Sequence, residues 1–159
     1  METKTNVMRI LTAHHVPYTS YSYIGTGALN GVDVACVLNQ NPAQVFKTLV
    51  TVARSGNHYV FMIPVCAELD LKRAAASVGE KSIEMLKMRD LLGLTGYVHG
   101  GCSPIGMKKQ FKTVADISAR NFDTIIFSAG RIGYQVQVAP TDIEKIIPLS
   151  FSDVCVSRN

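Results

Sequence analysis

The sequence predicts a single α+β domain over residues 1–159, built on a curved mixed β-sheet or open barrel that is flanked by helices. Three observations lead to this fold class. Segments with the two-residue alternation of β-strands recur along the chain. Hairpins outnumber helical crossovers, which argues against a doubly wound sheet. The composition, 47% hydrophobic and 18% charged, is typical of a globular chain and excludes a disordered one.

The first quarter of the chain is predicted to hold two helices with a strand between them. Apolar residues at helical spacing indicate an amphipathic helix over residues 4–15. The aromatic, alternating segment YTSYSYI, residues 18–24, predicts a strand. A glycine-containing loop over 25–31 then leads into a second short helix at 32–39.

A hairpin is predicted in the next part of the chain. Asn41 can cap a single helical turn that Pro42 begins. The β-branched segment at 48–53 and the returning segment at 58–65 flank the turn sequence RSGN, so they form two antiparallel strands. Lys47 is expected at the junction between the helical turn and the first strand.

The rest of the chain alternates short helices with strands. Asp70 caps a helix that Gly79 ends, another short helix ends before Gly96, and Pro140 begins the last helix. The remaining extended segments are predicted at 82–86, 111–116, 124–129, 134–139 and 151–156.

The cysteines and the charge exclude several function classes. Cys36, Cys66, Cys102 and Cys155 lie far apart and form no CxxC pair, which argues against a zinc site or a disulfide framework. No apolar run reaches the ~20 residues of a membrane helix, and the polar N-terminus does not have the apolar centre of a secretory signal. We therefore expect a cytoplasmic protein without metal or cofactor, whose net charge of +4 slightly favours an anionic partner.

The loop GYVHGGCSPIGMKK, residues 96–109, is the most unusual segment of the chain. It does not match a phosphate-binding P-loop, because Met107 stands where the lysine should be. Cys102 and His99 are close in sequence, and a cysteine–histidine pair can generate a nucleophilic thiolate. The alternative for Cys102 is a small apolar side chain that fills space beneath the loop.

A third interpretation of this loop uses its main chain. Gly100, Gly101 and Gly106 would let backbone N–H groups line a pocket and stabilise negative charge on a carbonyl oxygen. Such a pocket needs a group on its other side, and Lys47 is a candidate because its neighbours are mostly apolar. From spacing alone, Lys47 is equally compatible with a lysine that extends its charge past a sheet edge into water.

Four segments in series resemble one family. They are VFKTLV (45–50), IPVCAELDLKR (63–73), TGYVHGGCSPIGMKK (95–109) and SAGRIGYQVQVAP (128–140). Together they resemble the YbaK/EbsC-type aminoacyl-tRNA deacylases, relatives of the editing domain inserted in bacterial prolyl-tRNA synthetases. The resemblance runs from about Val7 to Ile147 and implies a curved mixed sheet flanked by helices. It also implies hydrolysis of cysteine mischarged on proline tRNA.

The resemblance assigns roles to individual positions. It implies that Lys47 and Gly100 are the catalytic residues. The substrate-binding residues that it implies are Tyr23, Gly101, Cys102, Ser128, Gly130 and Gln135. Gln135 departs from the family pattern, because some members have an aspartate there, and a glutamine carries no charge with which to hold the substrate amine.

The implied reaction is assisted by the substrate. The ester is already activated, and the sulfur of the bound cysteine would attack its own carbonyl while Lys47 positions the substrate. The alternatives are a deacylase for another mischarged tRNA, such as Ala-tRNA(Pro), and a non-catalytic module that binds aminoacyl-tRNA or a synthetase. The expected partners are tRNA(Pro) and prolyl-tRNA synthetase. Binding to DNA or to a membrane is not expected. A basic set either contacts tRNA phosphates or is simply solvated: Lys108, Lys109, Lys112 and Arg131.

Overall fold

Short helices and strands make up the protein, and a computed structural model describes them over residues 3–157. Within these residues the helices are α1 (Asn6–Ala13), α2 (Gly31–Val37), α3 (Leu71–Ser77), α4 (Met88–Thr95) and α5 (Pro140–Ile143), with a 3-10 helix at Ile117–Asn121. The strands are β1 (Thr19–Ser22), β2 (Phe46–Ala53), β3 (His58–Pro64), β4 (Ile83–Met85), β5 (Thr113–Asp116), β6 (Ile125–Ser128), β7 (Tyr134–Val138) and β8 (Leu149–Ser152).

The strands form two sheets rather than one. A three-stranded antiparallel sheet has the order β1-β7-β6, and a five-stranded mixed sheet has the order β4-β2-β3-β5-β8. The two sheets meet at a single parallel bridge between Val45 and Ile126, where the Ile126 amide donates to the Gln44 carbonyl at 3.0 Å. The α+β class with mixed pairing is confirmed. The strands are divided between two sheets, because β6 pairs with β7 and meets the five-stranded sheet at the start of β2.

Local sequence signals explain several helix ends. Thr5, Asn30 and Asp70 accept hydrogen bonds from the first turns of α1, α2 and α3. Gly96 ends α4 in the left-handed conformation, with φ of +85°. The predicted hairpin is confirmed as β2 and β3, which pair in antiparallel register from Phe46 opposite Pro64.

Some boundaries differ from the sequence-based expectation. The segment after Asn41 is a turn in which its side chain accepts from the Ala43 amide, not a helical turn. Strand β2 therefore begins at Phe46, and Lys47 lies inside the strand instead of at a junction. The C-terminal strand lies earlier than predicted because it pairs in parallel with β5, with Phe151 opposite Ala115.

Three apolar clusters hold the cavity walls in place. The largest packs α1 against both sheets, with Leu11 and Phe127 at its centre. The second packs α3 on the other face of the five-stranded sheet, around Phe61 and Ile63. The third joins Val50 of β2 to the glycine loop and α4. Because each wall belongs to a packed cluster, the space between the walls is preformed.

Candidate active site

A cavity of about 820 Å³ lies along the outer edge of β2. At its start β2 is bordered by β6 through the Val45–Ile126 bridge. At its end it pairs with β4 over Thr51–Ala53. Residues 46–49 lie between these two partners and have no strand against that edge within the described chain. The cavity occupies this gap, and we call residues 46–49 the open edge.

The main chain of Thr48 faces this gap. The Val65 amide donates to the Val45 carbonyl, and the Ala53 amide donates to the Asn57 carbonyl. These bonds show that every second residue of β2, counted from Val45, hydrogen-bonds to β3. In an antiparallel pair, the intervening residues direct their N–H and C=O groups to the other edge. Thr48 is one of these residues. Its side-chain oxygen is also buried and has no hydrogen-bond partner within residues 3–157.

Lys47 lines the cavity and is half-buried. It lies opposite Ile63, on the face of β2 that also carries Leu49, and it has no salt bridge within the described chain. Its ammonium is within electrostatic reach of Cys155. Burial raises the pKa of Cys155 to about 12, and the charge of Lys47 partly opposes that rise. Lys47 therefore borders the cavity with a charge that no carboxylate of the described chain pairs.

The glycine loop forms a second wall, but only part of it faces the cavity. Gly100 and Cys102 line the cavity, and neither amide donates to another described residue. Gly101 is not among the lining residues. Its amide donates to the Val98 carbonyl at 3.0 Å, and a Cβ there would lie 3.0 Å from the Ile132 nitrogen. Gly101 therefore allows a close contact between two loops, and its N–H is already used.

The Cys102 thiol is not placed as a nucleophile. Burial raises its pKa to about 12, so the thiol stays protonated near neutral pH. His99 lines the same cavity but is exposed, and no hydrogen bond joins it to Cys102 in the described chain. Cys102 packs against Val50 in an apolar cluster, which agrees with a space-filling side chain.

The turn from β6 to β7 supplies a hydroxyl group. Ser128 lines the cavity, and its Oγ accepts from the Gly130 amide at 3.1 Å, which leaves the hydroxyl hydrogen available to a ligand. Gly130 itself faces the core. Its φ is +87°, and a Cβ would lie 2.9 Å from Val7 and 3.0 Å from the Tyr97 ring. Gly130 therefore positions Ser128 and does not line the cavity.

Tyr23 and Gln135 complete the polar wall. Tyr23 follows β1 directly, and its amide donates to the Gly133 carbonyl at 2.9 Å. Gln135 lies in the central strand of the small sheet, opposite Ser128 on β6, and is only 5% exposed. Its Oε1 accepts from the Gln40 side chain at 2.9 Å. Gln40 was not identified from the sequence, because no local pattern connects it to a residue 95 positions later.

Several apolar side chains that line the cavity are exposed. Leu29 is 85% exposed, Met88 66% and Ile132 52%, and all three line the cavity. Exposed apolar groups of this size around a pocket indicate a surface that contacts a ligand or a partner. The sequence did not indicate them, because single apolar residues in loops and helix starts have no distinguishing pattern.

The described chain offers no grouping of metal ligands. No cluster of three or more His, Cys, Asp or Glu side chains within residues 3–157 could hold a metal ion. The same residues contain no helix of the length and apolarity needed to cross a bilayer. Six of the sequence-identified positions thus meet in one cavity, and they contribute an ammonium, a hydroxyl, a phenol, a carboxamide and main-chain amides: Tyr23, Lys47, Gly100, Cys102, Ser128 and Gln135.

Comparison with known proteins identifies the family to which the chain belongs. A family model described as the aminoacyl-tRNA editing domain matches residues 29–146, which include Lys47, Gly100, Ser128 and Gln135. The chain belongs to the aminoacyl-tRNA editing domain family. Tyr23 lies outside the matched range, on the strand that precedes it.

One curated relative and two solved structures resemble this chain over nearly its whole length. A protein of Enterococcus faecalis assigned as a Cys-tRNA(Pro)/Cys-tRNA(Cys) deacylase, EbsC, is 43% identical over 152 residues, covering 95% of this chain and 93% of the relative. The crystal structure of a protein assigned as a trans-editing enzyme for prolyl tRNA synthetase has a TM-score of 0.82 at 18% identity, covering 98% of this chain and all (100%) of that one. A hypothetical protein gives a TM-score of 0.86 at 18% identity, covering 96% of this chain. The two structures support the α+β fold.

Proposed function

We propose that this protein is a trans-editing deacylase that removes cysteine from mischarged Cys-tRNA(Pro) in the cytoplasm. The observation that carries the proposal is the cavity itself. It joins Lys47 of β2, Gly100 of the glycine loop and Ser128 of β6 in a chain of the editing domain family. The 43% identical relative is named for Cys-tRNA(Pro) and Cys-tRNA(Cys), which supports cysteine as the amino acid.

The unused amides of Gly100 and Cys102 provide donors for the ester carbonyl oxygen. Donors placed where negative charge develops typically contribute about 100-fold or more to the rate. The ammonium of Lys47 approaches from the open edge of β2, where it positions the terminal nucleotide or the ester and offsets the same charge. The Ser128 hydroxyl supplies a further donor beside them.

The bond chemistry requires no protein nucleophile. The sulfur of the bound cysteine attacks its own carbonyl carbon, so a C–S bond forms as the ester C–O bond breaks. The thiol proton ends on the ribose hydroxyl of the released tRNA, and water then opens the cyclic thioester to give cysteine. Holding the sulfur near the carbonyl supplies much of the lowering of the barrier. The protonated Cys102 is consistent with this route.

Deacylation of Cys-tRNA(Pro) by the wild type and two variants tests the proposal. We expect Lys47→Ala to lower kcat/KM by about 100-fold or more, because a charged donor at the reacting ester is lost. The matched control is Cys102→Ala, which removes the thiol that lines the cavity and should keep its activity. An inactive but folded Cys102→Ala protein would instead indicate a protein nucleophile.

A panel of mischarged tRNAs separates the alternatives. Faster hydrolysis of Ala-tRNA(Pro) than of Cys-tRNA(Pro) would favour the second deacylase activity, which the uncharged Gln135 keeps open. Tight binding without release of any amino acid would favour a non-catalytic module.

Adding prolyl-tRNA synthetase to each reaction tests whether that enzyme presents the substrate. Raising the salt concentration tests whether Lys108, Lys109, Lys112 and Arg131 contact tRNA phosphates.

A further inference from the structure

We propose that Gln40 is a positioning residue that aims the carboxamide of Gln135, so that its NH₂ group donates into the cavity. The corner formed by Gln135 and Ser128 then binds an uncharged hydrogen-bond acceptor of the aminoacyl group, and does not bind its ammonium. The orientation of the Gln135 carboxamide can be tested whether or not the proposed function is correct. The statement about substrate binding rests on the proposed function.

The first step of the argument is the hydrogen bond between the two glutamines. Gln40 Nε2 donates to Gln135 Oε1 at 2.9 Å, in a partly buried position. This bond holds the oxygen of the Gln135 carboxamide on the side of Gln40, so the donor nitrogen, Nε2, is turned away from Gln40. Gln135 lines the cavity, and its Nε2 has no hydrogen-bond partner among residues 3–157, so this donor is available to a ligand in the site.

The second step is the neighbouring side chain. Ser128 lies opposite Gln135 in the register of β6 and β7, and both line the cavity. The Ser128 oxygen already accepts from the Gly130 amide, so its remaining hydrogen is also a donor for a ligand. Side chains directly opposite each other on neighbouring strands are about 5 Å apart, close enough to bind one small group together.

Two adjacent donors select the kind of group that fits. A carbonyl oxygen, a hydroxyl oxygen or a thiol sulfur can accept from them, whereas an ammonium has no lone pair with which to accept. The ammonium of the substrate therefore needs an acceptor elsewhere in the cavity. The Thr48 carbonyl on the open edge of β2 has the required direction. This arrangement explains how the site can operate with a glutamine in place of a carboxylate.

The connection before β2 also contains a matched control. Gln44 is, like Gln40, a partly buried glutamine in the segment between α2 and β2, and its Nε2 donates to the Thr124 carbonyl at 2.8 Å. Gln44 does not line the cavity. Gln44→Leu therefore removes a hydrogen bond that a glutamine side chain donates, as Gln40→Leu does, but it leaves the donors in the cavity unchanged.

The direction of the carboxamide is tested by hydrogen exchange of the glutamine side-chain amides in the ligand-free protein, followed by NMR. We expect slow exchange for Gln40 and Gln44, whose NH₂ groups are bonded, and fast exchange for Gln135. In Gln40→Glu the carboxylate can only accept, so Gln135 must turn and its NH₂ group should become protected. Slow exchange at Gln135 in the wild type, or no change in Gln40→Glu, would overturn the proposal.

The consequence is tested by kinetics on Cys-tRNA(Pro) with three variants. Gln40→Glu should lower kcat/KM by about tenfold, because it replaces a donor to the substrate by an acceptor. Gln40→Leu should lower it less, and Gln44→Leu should leave it unchanged even if its thermal stability falls. Equal kinetics for Gln40→Glu and Gln44→Leu would contradict the role in binding. If the wild type hydrolyses no mischarged tRNA, the proposed function fails, while the exchange measurement still decides the direction of the carboxamide.

Discussion

The two halves of β2 differ in what borders their outer edge. Over Thr51–Ala53 the edge is closed by β4, and the Thr51 hydroxyl, which is fully buried, donates to the Tyr59 carbonyl at 2.9 Å. Over 46–49 the edge is open to the cavity, and the buried oxygen of Thr48 has no partner within the described residues. One strand thus contains a threonine with a satisfied hydroxyl and another whose hydroxyl is left for a ligand.

This difference indicates where the protein places its chemistry. A strand edge without a partner presents peptide groups and alternating side chains to whatever occupies the gap. Lys47 and Thr48 approach that gap from opposite faces of β2, so a ligand at the open edge can be held from both sides. We therefore expect changes in the closed half to lower stability, and changes in the open half to lower activity.

The largest expected effect concerns Cys102, which packs against Val50 where the two halves meet. Iodoacetamide reacts with the thiolate, and burial raises the pKa of Cys102 to about 12. At pH 8 we expect Cys102 to react on the order of a thousandfold more slowly than the exposed Cys36. Mass spectrometry of the alkylated peptides measures both rates. Comparable alkylation rates for Cys102 and Cys36 would show that the packing of Cys102 against Val50 opens in solution. The closed half of β2 would then begin after Val50 and not at it.

The next effect is a loss of stability in the closed half. Ile83 lies opposite Ala53 in β4 and is 6% exposed. Ile83→Ala should lower the free energy of unfolding by about 2–4 kcal/mol, because it leaves a cavity in the core beneath α3. Denaturant unfolding measures this loss, and kcat at a temperature where the variant is folded should stay close to that of the wild type. If Ile83→Ala kept its stability but lost activity, the closed half of β2 would carry the function, and the comparison would be contradicted.

Sequence reasoning predicted the elements well where local chemistry decides them. The helix caps at Asp70 and Gly96 and the hairpin after β2 each depend on a few neighbouring residues, and all three are present. The division into two sheets could not be predicted, because it depends on which distant strands pair: β7 pairs with β1 and β6, whereas β2 pairs with β3 and β4. Contacts between distant segments leave no local pattern in one sequence.

The candidate site shows the same limit at finer detail. The motif around Ser128 and Gly130 resembles the family, but the motif alone does not say which residue faces the ligand. Only packing against Val7 shows that Gly130 faces the core. In the same way, the Gly101 amide looked available in the sequence and is used by Val98 in the structure. The sequence indicated segments that border the cavity, but it did not show which of their groups face it.

The smallest effect is expected from the two threonines, and it tests the comparison most directly. Thr51→Val removes a hydroxyl that donates to Tyr59 and should lower the free energy of unfolding by about 1 kcal/mol, with unchanged kinetics. Thr48→Val has the same change in shape but removes an oxygen without a protein partner, so stability should be equal to that of the wild type or slightly higher. If a substrate uses that oxygen, kcat/KM of Thr48→Val should fall by about fivefold. The reverse pattern, with stability lost at Thr48 and activity lost at Thr51, would mean that the open edge is part of the structural framework and that the ligand binds elsewhere.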